Sequence, residues 1–178
     1  TMGINIKISI FGQSHSPAIG VVVDGLPPGE AVDETRLQAF LARRAPGQGA
    51  HTTARKEADE AQVLSGLAGG VTCGAPLCIV ISNQDARPQD YAAFRAVPRP
   101  SHADYAAFAK YGQHHDIRGG GHCSGRLTAA LCAAGGVCAQ ILERRNIVLG
   151  AHIAAIGPVA DASLDPVHVS ADQLRALA

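Results

Sequence analysis

Between residues 99 and 126 the chain concentrates side chains that hold anions and move protons. Arg99-Pro100-Ser101-His102-Ala103-Asp104-Tyr105 is followed by Lys110-Tyr111-Gly112, then by Arg118-Gly119-Gly120-Gly121-His122-Cys123-Ser124-Gly125-Arg126. A planar guanidinium grips carboxylate or phosphate through paired N–H donors. Imidazole titrates near neutrality and can deliver a proton. In Arg99-x-x-His102 an anion held by the arginine could be protonated by the histidine, as a departing phosphate requires. A structural hydrogen bond in a proline-stiffened loop explains that pair equally well. The glycine run leads into a helix start carrying Ser124 and Arg126, where free N–H groups and the helix dipole favour an oxyanion. A plain glycine turn is the alternative. The run lacks both the G-x-x-x-x-G-K-S/T pattern of a triphosphate loop and the spacing of a dinucleotide fingerprint.

Two further places carry similar chemistry. His15 lies in Gly12-Gln13-Ser14-His15-Ser16-Pro17, directly after a strand pattern, where a rigid element holds it and a turn exposes it. A surface turn histidine is the plainer account. Arg43-Arg44 closes a helix and leads toward His51 and Arg55. These arginines either compensate the helix dipole or form an anion clamp. His114, His115, Asp116 and His122 could be metal ligands, but no H-x-x-x-H spacing or Cys/His pairing supports them. A metal-dependent hydrolase built on His102, Asp104, His114 and His122 is one rival reading. A non-catalytic interaction domain is another.

The elements that must position these residues are legible from periodicity. Ile4, Ile6, Ile8 and Ile10 alternate with polar residues, which predicts a strand. Ala18 to Asp24 predicts a second, stopped by Gly25-Leu26-Pro27-Pro28-Gly29. Asp33 is placed to cap a helix through Arg44, with Leu37, Phe40 and Leu41 as its apolar stripe and Pro46-Gly47 as its end. Residues 47–60 read as a long functional loop. Strands fit Gln62 to Ser65 and Pro76 to Ser82, residues 83–103 look irregular, and Ser124 to Arg145 is the strongest helix, interrupted by Gly135-Gly136. Ile147 to Ile156 reads as a strand and Asp172 to Leu177 as a helix. The expectation is one α+β domain over residues 1–178, with mixed or antiparallel sheets packed against helices.

Composition bounds the rest. The 178 residues are 47% hydrophobic and carry fifteen basic and fifteen acidic side chains, so no whole-chain field draws nucleic acid or a membrane surface. Aromatic content of 4% argues against base stacking. The five cysteines form no C-x-x-C pair and read as reduced thiols, so a cytoplasmic setting is expected. No run of about 18 apolar residues is evident.

Taken in order, the segments resemble the chorismate synthase family. The matching pieces are Phe11-Gly12-Gln13-Ser14-His15, Asp24-Gly25-Leu26-Pro27-Pro28-Gly29, Arg43-Arg44-Ala45-Pro46-Gly47-Gln48 and Thr53-Ala54-Arg55-Lys56-Glu57-Ala58-Asp59. Ser65-Gly66, Asn83-Gln84-Asp85-Ala86-Arg87 with Asp90-Tyr91, and the 99–126 block complete them. The resemblance implies a β-α-β sandwich, here incomplete, and an FMN-dependent carbon–oxygen lyase that eliminates phosphate from 5-enolpyruvylshikimate 3-phosphate. It assigns His15 to protonating reduced FMN and His102 to the leaving phosphate. Arg44, Arg99 and Arg126 would bind substrate, and His122, Cys123 and Ser124 would touch FMN. No metal is implied, and family members are usually homotetramers. The chain departs from the usual family pattern at Gln13, Ser16, Ala45, Ser101, His122, Cys123, Gly125 and Leu127. The family's second half, with further flavin and substrate residues, has no counterpart, so the expectation is an N-terminal half that turns over poorly alone.

Overall fold

The computed structural model describes residues 1–45, 58–84, 91, 94, 97–165 and 167–177. The helix end predicted at Pro46-Gly47 and most of the loop predicted over 47–60 lie outside them. Contacts divide the chain into two compact units, Thr1–Val137 and Cys138–Ala178.

The first unit is built on a four-stranded antiparallel sheet. Its strands are β1 (Lys7–Gly12), β2 (Ala18–Asp24), β3 (Ala61–Ser65) and β6 (Leu77–Ser82), in the order β1-β2-β6-β3. The short hairpin β4 (Leu67–Ala68) and β5 (Val71–Thr72) separates β3 from β6. Strand alternation places Ile19, Val21 and Val23 opposite Ile81, Ile79 and Leu77, and all six are buried. Each side chain of that size contributes roughly 1.5–3 kcal/mol on burial, so this face anchors the unit.

The strand predicted from Ile4 begins only at Lys7. Gly3 adopts φ +98, and paired backbone bonds at 2.8 Å join Met2 to Ile8. Residues 4–6 therefore form the bend of a tight return, and Ile4 is left exposed.

Helix α1 (Glu34–Arg44) is capped by the Asp33 side chain, which accepts from the Arg36 N–H. Leu37 and Leu41 are buried, whereas Phe40 sits at the margin. Helix α2 (Asp104–Tyr111) arises within a region with little apolar periodicity. Two 3-10 turns, Arg118–Cys123 and Gly125–Leu127, then lead into α3 (Thr128–Glu143). Ala129, Ala130, Ala133, Ala134 and Val137 of α3 are buried, and Gly136 approaches Leu37 and Phe40 of α1. Gly125–Glu143 is long and apolar enough to span a membrane by composition, yet 56% of that window is buried inside the fold, as in a core helix.

The second unit contains the hairpin β7 (Ala155–Ile156) and β8 (Val159–Ala160), and α4 (Ala171–Ala176) with a reciprocal cap between Ser170 and Gln173. The strand expected over Ile147–Ile156 is reduced to its last two residues. The β7–β8 pairing is the only one among the described residues of this unit, so the apolar alternation before it finds no sheet edge to join.

Candidate active site

Every candidate functional residue lies in the first unit. The His15 turn joins β1 to β2. Ser16 Oγ accepts from the Gln13 N–H at 2.8 Å and sits within donating distance of the Gln13 and Ala18 carbonyls. Asn83, just past β6, donates through Nδ2 to the carbonyls of Gln13 (3.1 Å) and Ser16 (2.7 Å). Its Oδ1 accepts from Arg126 Nε at 3.0 Å. One amide thereby ties the histidine turn to an arginine 43 positions later.

Arg126 is buried, and its Nη1 donates to Asp59 Oδ1. Asp59 Oδ2 accepts from Arg44 Nη1 at 2.5 Å. One carboxylate with no exposed side-chain surface thus joins two arginines, one from α1 and one from the 3-10 turn before α3. Arg44 keeps a quarter of its side chain exposed, so of the two it is the one facing solvent.

The two candidate acids meet at the glycine run. A Cβ added to Gly119 would come within 2.6 Å of His15 Cε1 and 2.7 Å of its Nδ1. One added to Gly120 would come within 2.7 Å of His102 Cε1 and 2.9 Å of its Nε2. Consecutive glycines, at φ +57 and +87, therefore carry one histidine each. Adjacent Cα atoms are about 3.8 Å apart, so the rings lie within about 12 Å of each other. The run is fixed in turn by a bond from Ser14 N–H to the Gly121 carbonyl at 3.1 Å.

Arg99 and His102 share Asp104, the first residue of α2. Arg99 donates to it through Nε and Nη2, both at 2.8 Å, and His102 Nδ1 stands 2.7 Å from Oδ1. The Arg99 guanidinium holds the Asp104 carboxyl far below the usual carboxylate range, against the opposing effect of burial. The same guanidinium stacks 4.7 Å from the Phe94 ring and 5.7 Å from Tyr91. Tyr91 also meets the His15 ring edge-on at 5.0 Å. Arg118 pairs bidentately with Asp116, lowering that carboxyl, and the charge of nearby His15 adds to the effect.

The predicted flavin segment is partly open. His122 is exposed and its Nδ1 lies 2.9 Å from the Gly12 carbonyl, Cys123 is exposed, and Ser124 caps the turn by accepting from Arg126 N–H. Among the described residues no three His, Cys, Asp or Glu side chains converge as metal ligands. His114 and His122 do not join the His102–Asp104 pair.

Sequence pattern alone misses Asp59 and Asn83 as site residues, and it raises Asp104 and Asp116 only as members of a metal site. Asp104 and Asp116 lie within five positions of their arginine partners, whereas Asp59 and Asn83 reach Arg126 across 67 and 43 positions. Only the fold shows that they face inward.

The family model for chorismate synthase matches residues 6–177. The chain belongs to the chorismate synthase family. It is 43% identical over 179 residues to chorismate synthase of Lancefieldella parvula, covering 100% of this chain and 47% of that one. It is 45% identical to the Aeropyrum pernix protein over 166 residues, covering 93% and 43%, and 45% to that of Burkholderia multivorans over 170, covering 95% and 46%. A crystal structure of chorismate synthase superposes with TM-score 0.59 at 25% identity, covering 88% of this chain and 39% of that one. This supports the expected α+β class. The chain spans about half the length of the curated chorismate synthases it matches.

Proposed function

We propose that this chain carries the histidine–arginine portion of a chorismate synthase site, for the 1,4-anti elimination of phosphate from 5-enolpyruvylshikimate 3-phosphate. In that reaction the C–O bond to phosphate breaks, a ring proton departs and a new double bond completes the diene of chorismate. Substrate oxidation state is unchanged overall. The observation that carries the reading is the placement of His15 and His102 on consecutive glycines beside an arginine cluster.

Arg44 and Arg99 bind the substrate's phosphate and carboxylates, and Arg126 acts from beneath through Asp59. His102 protonates the departing phosphate, a contribution of about 10²–10⁴ in rate for a well-placed acid. His15 holds the proton destined for the reduced flavin. Reduced FMN, when bound, lends electron density to the breaking C–O bond. His122, Cys123 and Ser124, which precede the 3-10 turn leading into α3, would hold its anionic end, and the first turn of α3 carries no acidic side chain to oppose it. A cytoplasmic homotetramer, as usual in the family, completes the proposal.

Anaerobic titration of the chain with reduced FMN, followed by the flavin spectrum, tests this. Binding that tightens when 5-enolpyruvylshikimate 3-phosphate is added is the expected outcome. Flavin binding indifferent to substrate, or none, would overturn the claim that this portion encodes the shared pocket.

A further inference from the structure

We propose that Asp104 is a positioning residue that locks His102 in its Nδ1–H tautomer and leaves Nε2, on the Gly120 side, as the only nitrogen able to exchange a proton with a ligand. The consequence for catalysis rests on the role given to His102 above; the geometry does not.

Asp104 Oδ1 stands 2.7 Å from His102 Nδ1. An ionised carboxylate only accepts hydrogen bonds, so Nδ1 must carry the hydrogen. Arg99 Nη2 lies 3.4 Å from the same nitrogen, but guanidinium has no acceptor and a protonated Nδ1 has no free lone pair. That contact is therefore a packing neighbour of the dyad and does not compete with it.

Asp104 is well suited to hold a ring still. It is 3% exposed, accepts from the Nε, Nη2 and backbone N–H of Arg99, and opens α2, where the helix dipole favours negative charge. The opposite edge of the ring is confined as well, since Cε1 and Nε2 lie against the Gly120 backbone where any Cβ would collide. Among the described residues, the charged groups facing His102 are Asp104 from α2 and Arg99 from the preceding loop; the glycine run contributes backbone alone. With Nδ1 committed, one nitrogen with one direction remains.

The tautomer can be read without flavin, substrate or turnover. Histidine-selective ¹⁵N NMR of the 178-residue chain, at alkaline pH where imidazole is neutral, distinguishes the two forms; a His102→Gln spectrum supplies the assignment. Free imidazole side chains favour Nε2–H, so the expected result is not the default. His102 should be Nδ1–H by roughly tenfold or more, the factor a charge-assisted hydrogen bond supplies. In Asp104→Asn, which keeps the shape but offers both a donor and an acceptor, that preference should collapse toward the solution ratio. Asp104→Ala should do the same if it folds. An Nε2–H tautomer in the unmodified chain, or an unchanged Nδ1–H in Asp104→Asn, overturns the proposal. A failed flavin titration alongside a locked tautomer would sink the proposed function and leave this inference standing.

Discussion

Asp59 shows how one side chain can govern a site without facing the ligand. Its two oxygens hold Arg44 and Arg126, and its backbone sits at φ +51. Asparagine tolerates that left-handed conformation, so Asp59→Asn removes the charge while sparing the backbone. Breaking a buried pair by neutralising one partner costs about 3–5 kcal/mol, and Asp59→Asn should lose a comparable amount in denaturant unfolding. A loss below about 1 kcal/mol would show that the arginines are held by other groups. Ser101, where the family usually has glycine, also lies in the left-handed region at φ +59. That conformation costs an L-residue about 1–2 kcal/mol, while glycine's greater freedom in the unfolded chain takes back about 0.5–1. Ser101→Gly should therefore stabilise the chain by about 0.5 kcal/mol, and a fall in melting temperature would refute this.

At the scale of elements, the α1–α3 contact turns on two adjacent glycines with opposite roles. A Cβ on Gly136 would meet Leu37 Cδ1 at 2.8 Å and Phe40 Cδ1 at 3.1 Å, whereas one on Gly135 meets nothing within 4 Å. Alanine gains about 1 kcal/mol over glycine in a helix interior. Gly135→Ala should collect most of that gain. Gly136→Ala should lose about 1–2 kcal/mol net, because overpacking at a close helix contact outweighs propensity. Equal effects in paired melting experiments would mean the helices do not approach as described. The same contact explains why a Gly-Gly pair survives inside the longest helix: one residue of it is where α1 comes close.

For the whole molecule, neutrality conceals a strongly organised interior charge pattern. Fifteen cations and fifteen anions cancel, yet Arg44, Arg99, Arg118 and Arg126 each face a carboxylate around the glycine run. Asp104 and Asp116 have folded-state pKa values below the ordinary carboxylate value, so each contributes stability that is present above roughly pH 4 and is lost as pH falls through the folded value. Denaturant unfolding across pH should show a decline beginning near pH 4, with a shallower slope in Asp104→Asn. A decline already under way near pH 6 would implicate histidines instead. Much of this molecule could be read from local pattern. The apolar runs Val21-Val22-Val23 and Ile79-Val80-Ile81, the Asp33 cap and the apolar run after Ser124 are short-range signals, and the family motifs name the histidines and arginines. Local pattern misplaced Ile4–Ile6 and Ile147–Ala154, because alternation marks a strand only where a sheet edge is there to pair with it. It was silent on Asp59, Asn83 and Asp104 as organisers, and on Gly119 and Gly120 as seats for two different histidines. The roles of Asp59 and Asn83 depend on contacts between residues far apart in the chain, 67 positions from Asp59 to Arg126 and 43 from Asn83 to Arg126, and that of Asp104 on the direction its side chain takes. Spacing along the chain carries no information about which way a carboxylate faces; the packing of the His15 turn and the glycine run on each other and on β1 decides it.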